Sequence, residues 1–175
     1  MRGLSMTAAL LGAVLSLAAC GGSDAETSPS VAMQEIDACA LLTAAEVEAA
    51  TGVSPGPPEA VRISGGPPIC NWPAADGSNA AFLTVLVAPT RHFESYDAAL
   101  ATWQESAAGA GMDFDPADYE EVEGVGDVGA WLREAEMLQA HRGDRMVQVS
   151  TRVAPDRDVR QASIELARHA LTRLD

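Results

Sequence analysis

Lysine is missing from this 175-residue chain. Its absence removes whole reaction classes, because a phosphate-loop lysine, a Schiff base, a Ser–Lys nucleophile pair and a protein-kinase lysine all need the ε-amine. The arginine bias fits genomic base composition, and we read no function into it. Histidine is scarce as well. His92, His141 and His169 fall on different predicted elements, and no two stand at a metal-ligand spacing. There is no G-x-S-x-G elbow. Carboxylates are plentiful, but nothing in their spacing marks an acid/base pair. We therefore expect no catalytic residue, no metal site, no cofactor and no enzyme activity. Positive charge is also in short supply, with 11 basic against 25 acidic residues. That balance argues against nucleic acid as a partner and against direct docking on anionic lipid heads. Finally, no apolar run is long enough to span a bilayer. The uncharged stretch Met6 to Ala19 falls short of the ~20 residues that a ~30 Å hydrocarbon core requires.

That short run has a meaning of its own. Met1-Arg2-Gly3 is a minimal positive start, the apolar stretch follows, and Leu17-Ala18-Ala19-Cys20 closes it. Such flanks fit a cleaved signal segment rather than an anchor helix. The small residues before Cys20 resemble the lipobox read by bacterial lipoprotein-processing enzymes, which attach diacylglycerol to the Cys sulfur and cleave before it. The alternative is a plain signal peptide in which Cys20 is incidental. The expected organisation is a lipoprotein signal peptide over 1–19, a lipidated tether over 20–36 and one α+β domain over 37–175. The tether is rich in Gly, Ser, Thr, Pro and Ala and lacks apolar periodicity, which predicts a flexible spacer. The expected partner is thus a membrane, held through lipid on Cys20, with the domain in the cell envelope on the periplasmic or extracellular side. Two or more acyl chains hold stably where one binds only marginally.

Lipidation of Cys20 leaves Cys39 and Cys70, an even pair in an oxidising compartment. We expect a disulfide between them. The alternatives are two free thiols or a metal site, but no neighbouring His or third Cys completes four ligands.

Downstream, Thr43 with Glu46 reads as a capping box opening a helix from Ala44 to about Thr51, with Gly52 as its stop. Ser54 to Pro68 holds five prolines and three glycines and excludes long regular structure. Val61–Ile63 is a candidate edge strand inside it. Ile69–Trp72 reads as a short strand, and Ala80 to Ala88 as a central strand with two apolar faces. Ser95 to about Ala108 is a helix with Tyr96, Ala99, Leu100, Trp103 and Ala107 on one side. Val128–Arg133, Glu136–His141 and Arg145–Val153 form a predicted meander, with Gly143-Asp144 as a two-residue turn. In its last strand Val147, Val149, Thr151 and Val153 share one face. A closing helix runs from about Arg157 to Leu174.

Three short motifs carry weak chemical suggestions. Asp113 to Glu123 is acidic, and its Asp-x-Asp start hints at calcium; Ala117 and Asp118 then stand where a ligand and a glycine belong, so a solvated loop is expected. Gly124-Val125-Gly126-Asp127-Val128-Gly129 spells the dinucleotide fingerprint, but acidic residues precede it and a strand follows, the wrong context for it. Arg142-Gly143-Asp144 spells an adhesion tripeptide, yet a hairpin turn needs its Gly-Asp regardless.

Taken together, the lipobox, Asp37-Ala38-Cys39-Ala40-Leu41-Leu42-Thr43 with Glu46, Cys70-x-Trp72, and Gly124-Val125-Gly126-Asp127 before paired strands resemble a family of small secreted lipoproteins of unknown function, frequent in high-GC bacteria. That family usually has Pro where this chain has Ala38. The resemblance runs from about Asp37 to Leu174, and implies a fold and a disulfide rather than an activity. More distantly, the chain is similar to extracellular sensor domains of bacterial receptor kinases, which implies binding rather than catalysis. The expected fold is α+β: an antiparallel sheet of about five strands, helices on one face, one disulfide. Two functions compete. One is a ligand-binding or sensor module, with a groove between the Pro-rich loop and the uncovered face of the sheet. The other is an accessory protein of an envelope complex that binds a protein partner through that face. An envelope hydrolase is the third alternative.

Overall fold

The computed structural model describes residues 36–77 and 83–174. The predicted lipobox with Cys20, nearly all of the predicted tether and the first residues of the predicted central strand lie outside the described residues. The centre of the molecule is the pairing of β3 (Leu83–Pro89) with β7 (Arg145–Thr151), in which Val85 faces Val149 and Val87 faces Val147. β2 (Ile69–Trp72) and β1 (Glu59–Val61) extend the sheet beyond β3. β6 (Met137–Arg142), β5 (Val128–Leu132) and β4 (Tyr119–Glu121) extend it beyond β7. The order is β1-β2-β3-β7-β6-β5-β4, and every pair is antiparallel. Gly143-Asp144 makes the β6–β7 turn, with Gly143 at φ +57 and Arg142 paired to Arg145. Among the described residues no helix is long and apolar enough to cross a membrane.

Side chains alternate across the strands, so the register assigns each residue a face. On one face lie Val85, Val87, Val147, Val149, Leu138, Ala140 and Trp131, all buried in a single cluster. The closing helix α3 (Val159–Thr172) covers them with Ala162, Leu166, Ala167, Ala170 and Leu171. Asp158 caps its start by accepting from the Gln161 N–H. Against α3 packs α1 (Ala44–Thr51), opened by the expected capping box: Thr43 Oγ1 accepts from the Glu46 N–H, and Glu46 accepts from the Thr43 N–H at 2.8 Å. Gly52 ends α1 at φ +70, a left-handed stop that favours glycine. A 3₁₀ turn, Ala38–Leu41, completes this layer.

The second long helix, α2 (Tyr96–Gly109), packs on the opposite face. Its Ala99 and Trp103 belong with Phe93 and Val128 in a separate buried cluster, and Trp103 lies against His141. Val128 and His141 pair across β5 and β6 on the side away from Leu138 and Ala140. Helices therefore cover both faces, not one. The α3 layer is already filled by α1 and the 3₁₀ turn, so the aromatic stripe of α2 finds its complement behind the sheet.

The sheet also has seven strands rather than about five. The additions are edge pieces. β4 arises inside the acidic stretch read as a solvated loop, and β1 lies two residues before the predicted Val61–Ile63. Both are three residues long and mostly exposed. Short, charged edges carry little apolar signal and resist further strand addition.

Candidate functional site

A cavity opens at the β1 end of the sheet. It is a groove of about 330 Å³, bounded by residues 36–38 on one side and 60–69 on the other. The hairpin wall follows from its composition. Gly56 and Ala75 donate backbone hydrogen bonds to Pro73 and Ser54, which zip the base of the excursion shut. At the tip, the Gly66 N–H donates to the Ile63 carbonyl, with Gly65 at φ +72. A Cβ on Gly65 would be strained in that turn. The strand stops at Val61, so Arg62 and Ile63 project into the connection. The opposite wall is the start of the domain, where Asp37 Oδ1 accepts the Cys39 N–H at 3.0 Å and caps the 3₁₀ turn.

These walls lie far apart in sequence and are joined by the expected disulfide, Cys39–Cys70, with Cα atoms 5.0 Å apart. It ties the turn before α1, rather than α1 itself, to β2. Two-residue alternation puts Cys70 and Trp72 on the same face, where both are buried. The Cys-x-Trp spacing is thus a core pattern. Apolar surface from Ile36, Ala60, Val61 and Ile69 lines the groove, and Arg62 stands on its rim with no ion-pair or hydrogen-bond partner among the described residues. Asp37, Arg62 and Ser64 stand among these apolar residues, and the arrangement suits a small amphipathic ligand whose anionic group meets Arg62. The groove lies beside the opening segment, rather than over the uncovered sheet face where the sequence placed it.

A second polar feature was not visible in the sequence. His141 is 2% exposed under α2. Phe93 meets its ring edge-on at 5.1 Å, and Trp103 lies over it at 5.5 Å. The Gln139 amide contacts Nε2 at 2.8 Å, while Nδ1 has no partner among the described residues. Burial pushes the imidazole down to about 4 from its ordinary 6.5, so His141 is neutral at neutral pH. No carboxylate is hydrogen-bonded to it, and this box lacks the orienting partner a general base needs. The only signal in sequence was one His at an inward position of a strand.

The remaining motifs have structural roles. In the glycine-rich run, a Cβ on Gly126 would sit 2.2 Å from the His141 carbonyl, and one on Gly129 would sit 2.6 Å from that of Val122. Gly126 and Gly129 serve backbone packing, and β5 begins at Val128 within the run, as expected. The acidic stretch folds as a 3₁₀ turn, Pro116–Asp118, and β4. Among the described residues no three His, Cys, Asp or Glu are placed to hold a metal. In the tripeptide turn, Arg142 donates to the Leu171 carbonyl and the Gly143 N–H to Asp127. His92 lies 3.7 Å from Asp127, and His169 lies 3.2 Å from Glu46. The Glu46 carboxylate also takes two contacts from Arg173, at 2.7 and 3.0 Å. That guanidinium, with help from Thr43, lowers Glu46 to about 2. The pair locks α1 to the end of α3. No protein-family model matches this chain, and no curated protein is similar to it in sequence.

Proposed function

We propose that the chain is a lipid-anchored, extracytoplasmic, non-catalytic binding module whose ligand site is the groove between residues 36–38 and 60–69. The groove itself carries the reading. It is a concavity of about 330 Å³, within the range of small-molecule sites, with mixed apolar and polar walls on which Arg62 is unpartnered among the described residues and Asp37 is engaged in capping the 3₁₀ turn. It is braced by a disulfide, and it adjoins the point where the tether enters the domain. The lipobox at Cys20 and the Cys39–Cys70 pair support the compartment. The resemblance to small secreted lipoproteins agrees with both.

Binding of a protein partner through the second face has less support. α2 occupies part of that face, and the rest alternates Asn71, Thr84, Gln148 and Ser150 with Ile69, Leu86 and Met146. A contiguous apolar patch is what such an interface would need.

The test is thermal unfolding with and without a short-chain alkyl phosphate, which matches the walls and Arg62. A ligand at 100 times its dissociation constant adds about 2.7 kcal/mol, read as an upward shift of several degrees. Ala60→Trp, an exposed edge position that fills the groove, should abolish the shift and leave the unliganded midpoint unchanged. No shift with alkyl phosphates or carboxylates, or an equal shift in Ala60→Trp, would count against the groove.

A further inference from the structure

The β1–β2 hairpin tip has an unusual surface for this protein. Ile63 is 57% exposed, one of two large apolar side chains open to solvent among the described residues. The other, Met112, is followed by Asp113 and Asp115. Ile63 instead neighbours Arg62, and no carboxylate occurs anywhere from Ala60 to Ala75. In a chain of net charge −14, this is a carboxylate-free stretch of hairpin with one arginine beside an exposed apolar residue, and the carboxylate across the groove, Asp37, is engaged by the Cys39 N–H. Its position matters equally. Ile36 and Asp37 line the same groove as Arg62 and Ile63, so the tip lies at the end of the domain where the tether joins. Only the 15 residues 21–35 separate Cys20 from Ile36, so an acylated Cys20 holds this end of the domain nearest the bilayer.

The geometry points to a second membrane contact: the Arg62–Ile63 tip docks on the lipid surface to which Cys20 is tethered. Ile63 enters the interfacial layer, and Arg62 meets the lipid phosphates. Net negative charge forbids the domain from lying flat on anionic lipid, but it leaves this point contact open. Arginine is suited to it, because its guanidinium matches phosphate and is weakly hydrated. The tip alone holds weakly, whereas the acyl anchor holds stably. Linked, they act at high effective concentration, and the groove mouth is held at the headgroup layer. The inference rests on the lipid-anchor reading of Cys20.

The experiment uses the full lipidated protein in vesicles of phosphatidylcholine and phosphatidylglycerol at 7:3, with a nitrobenzoxadiazole label at Ser64→Cys or, in a second sample, at Met112→Cys. Nitroxide lipids quench labels that reach the interface. The Ser64 label should be quenched at least twofold more than the Met112 label. Arg62→Glu and Ile63→Ser should each bring it down to the Met112 level. Flotation with the vesicles should be the same for every sample, and the solvent-facing tip allows all variants to fold. Equal quenching at the two positions in floating protein would overturn the docking and leave the anchor standing. Failure to float, matched by Cys20→Ala, would overturn the anchor and the docking with it.

Discussion

The groove and the imidazole box sit on one sheet and are built oppositely. The groove is open, made of backbone turns and small apolar residues, with its one cation free. The box is closed, aromatic, and holds a polar ring in a site that solvent does not reach. A perturbed buried histidine is often the first place to look for chemistry. Here its neighbours are rings and an amide, and among the described residues no carboxylate is hydrogen-bonded to it. Burial alone explains its depressed titration. The lesson is that an unpaired buried group marks a constraint on folding, whereas an open concavity with an unspent charge marks a place for something else to bind. The two regions should therefore respond to different perturbations.

Removing the groove's brace gives the largest expected effect. With its cysteines 31 positions apart in sequence, the bridge is worth about 3–4 kcal/mol on the chain-entropy model. Cys39→Ser with Cys70→Ser should lower stability by that amount in denaturant melts. The unfolded, unreduced wild-type protein, processed and lipidated at Cys20, should show no titratable thiol.

The box should reveal itself through pH. His141 titrates near 4 in the folded protein and at 6.5 when unfolded. At pH 7 both states are neutral and the stability is intact. As pH falls below 6.5 the unfolded chain gains a proton that the folded chain refuses, so stability drops until about pH 4. The full loss is about 3 kcal/mol. His141→Phe should be flat between pH 6.5 and 4.5 in melts where wild type declines. Glu46 does not interfere in that window. Its folded value is about 2 against 4.5, so its contribution is present above 4.5 and is lost as pH falls through 2. Glu46→Gln weakens both the cap and the Arg173 contact. It should cost about 1–2 kcal/mol at pH 7 and converge with wild type at pH 2. The smallest effect belongs to the hairpin tip. Ile63→Ser exposes nothing new and should change stability by less than about 0.5 kcal/mol, although it should abolish membrane docking.

Local chemistry was legible in the sequence. Thr43, Glu46 and Gly52 bound α1 because capping acts within one turn, and Gly143-Asp144 made its turn for the same reason. The Cys39–Cys70 pair followed from compartment and parity. What depended on distant pairing was hidden. Whether His141 faces α3 or α2 is decided by its register with Val128 and Met146, which no local pattern encodes. β4 was invisible because Glu120 and Glu121 point to solvent on an edge strand. The groove was half placed: the Pro-rich loop supplies one wall as expected, but the other, residues 36–38, comes beside it through tertiary pairing that no local pattern encodes.

Hydrogen exchange with and without a short-chain alkyl phosphate separates the groove from the imidazole box. Protection confined to amides of residues 36–39 and 60–69, with no change at Phe93, Trp103 or His141, is the predicted result. Protection centred on the imidazole box, or no protection at the groove at saturating ligand, would contradict the account.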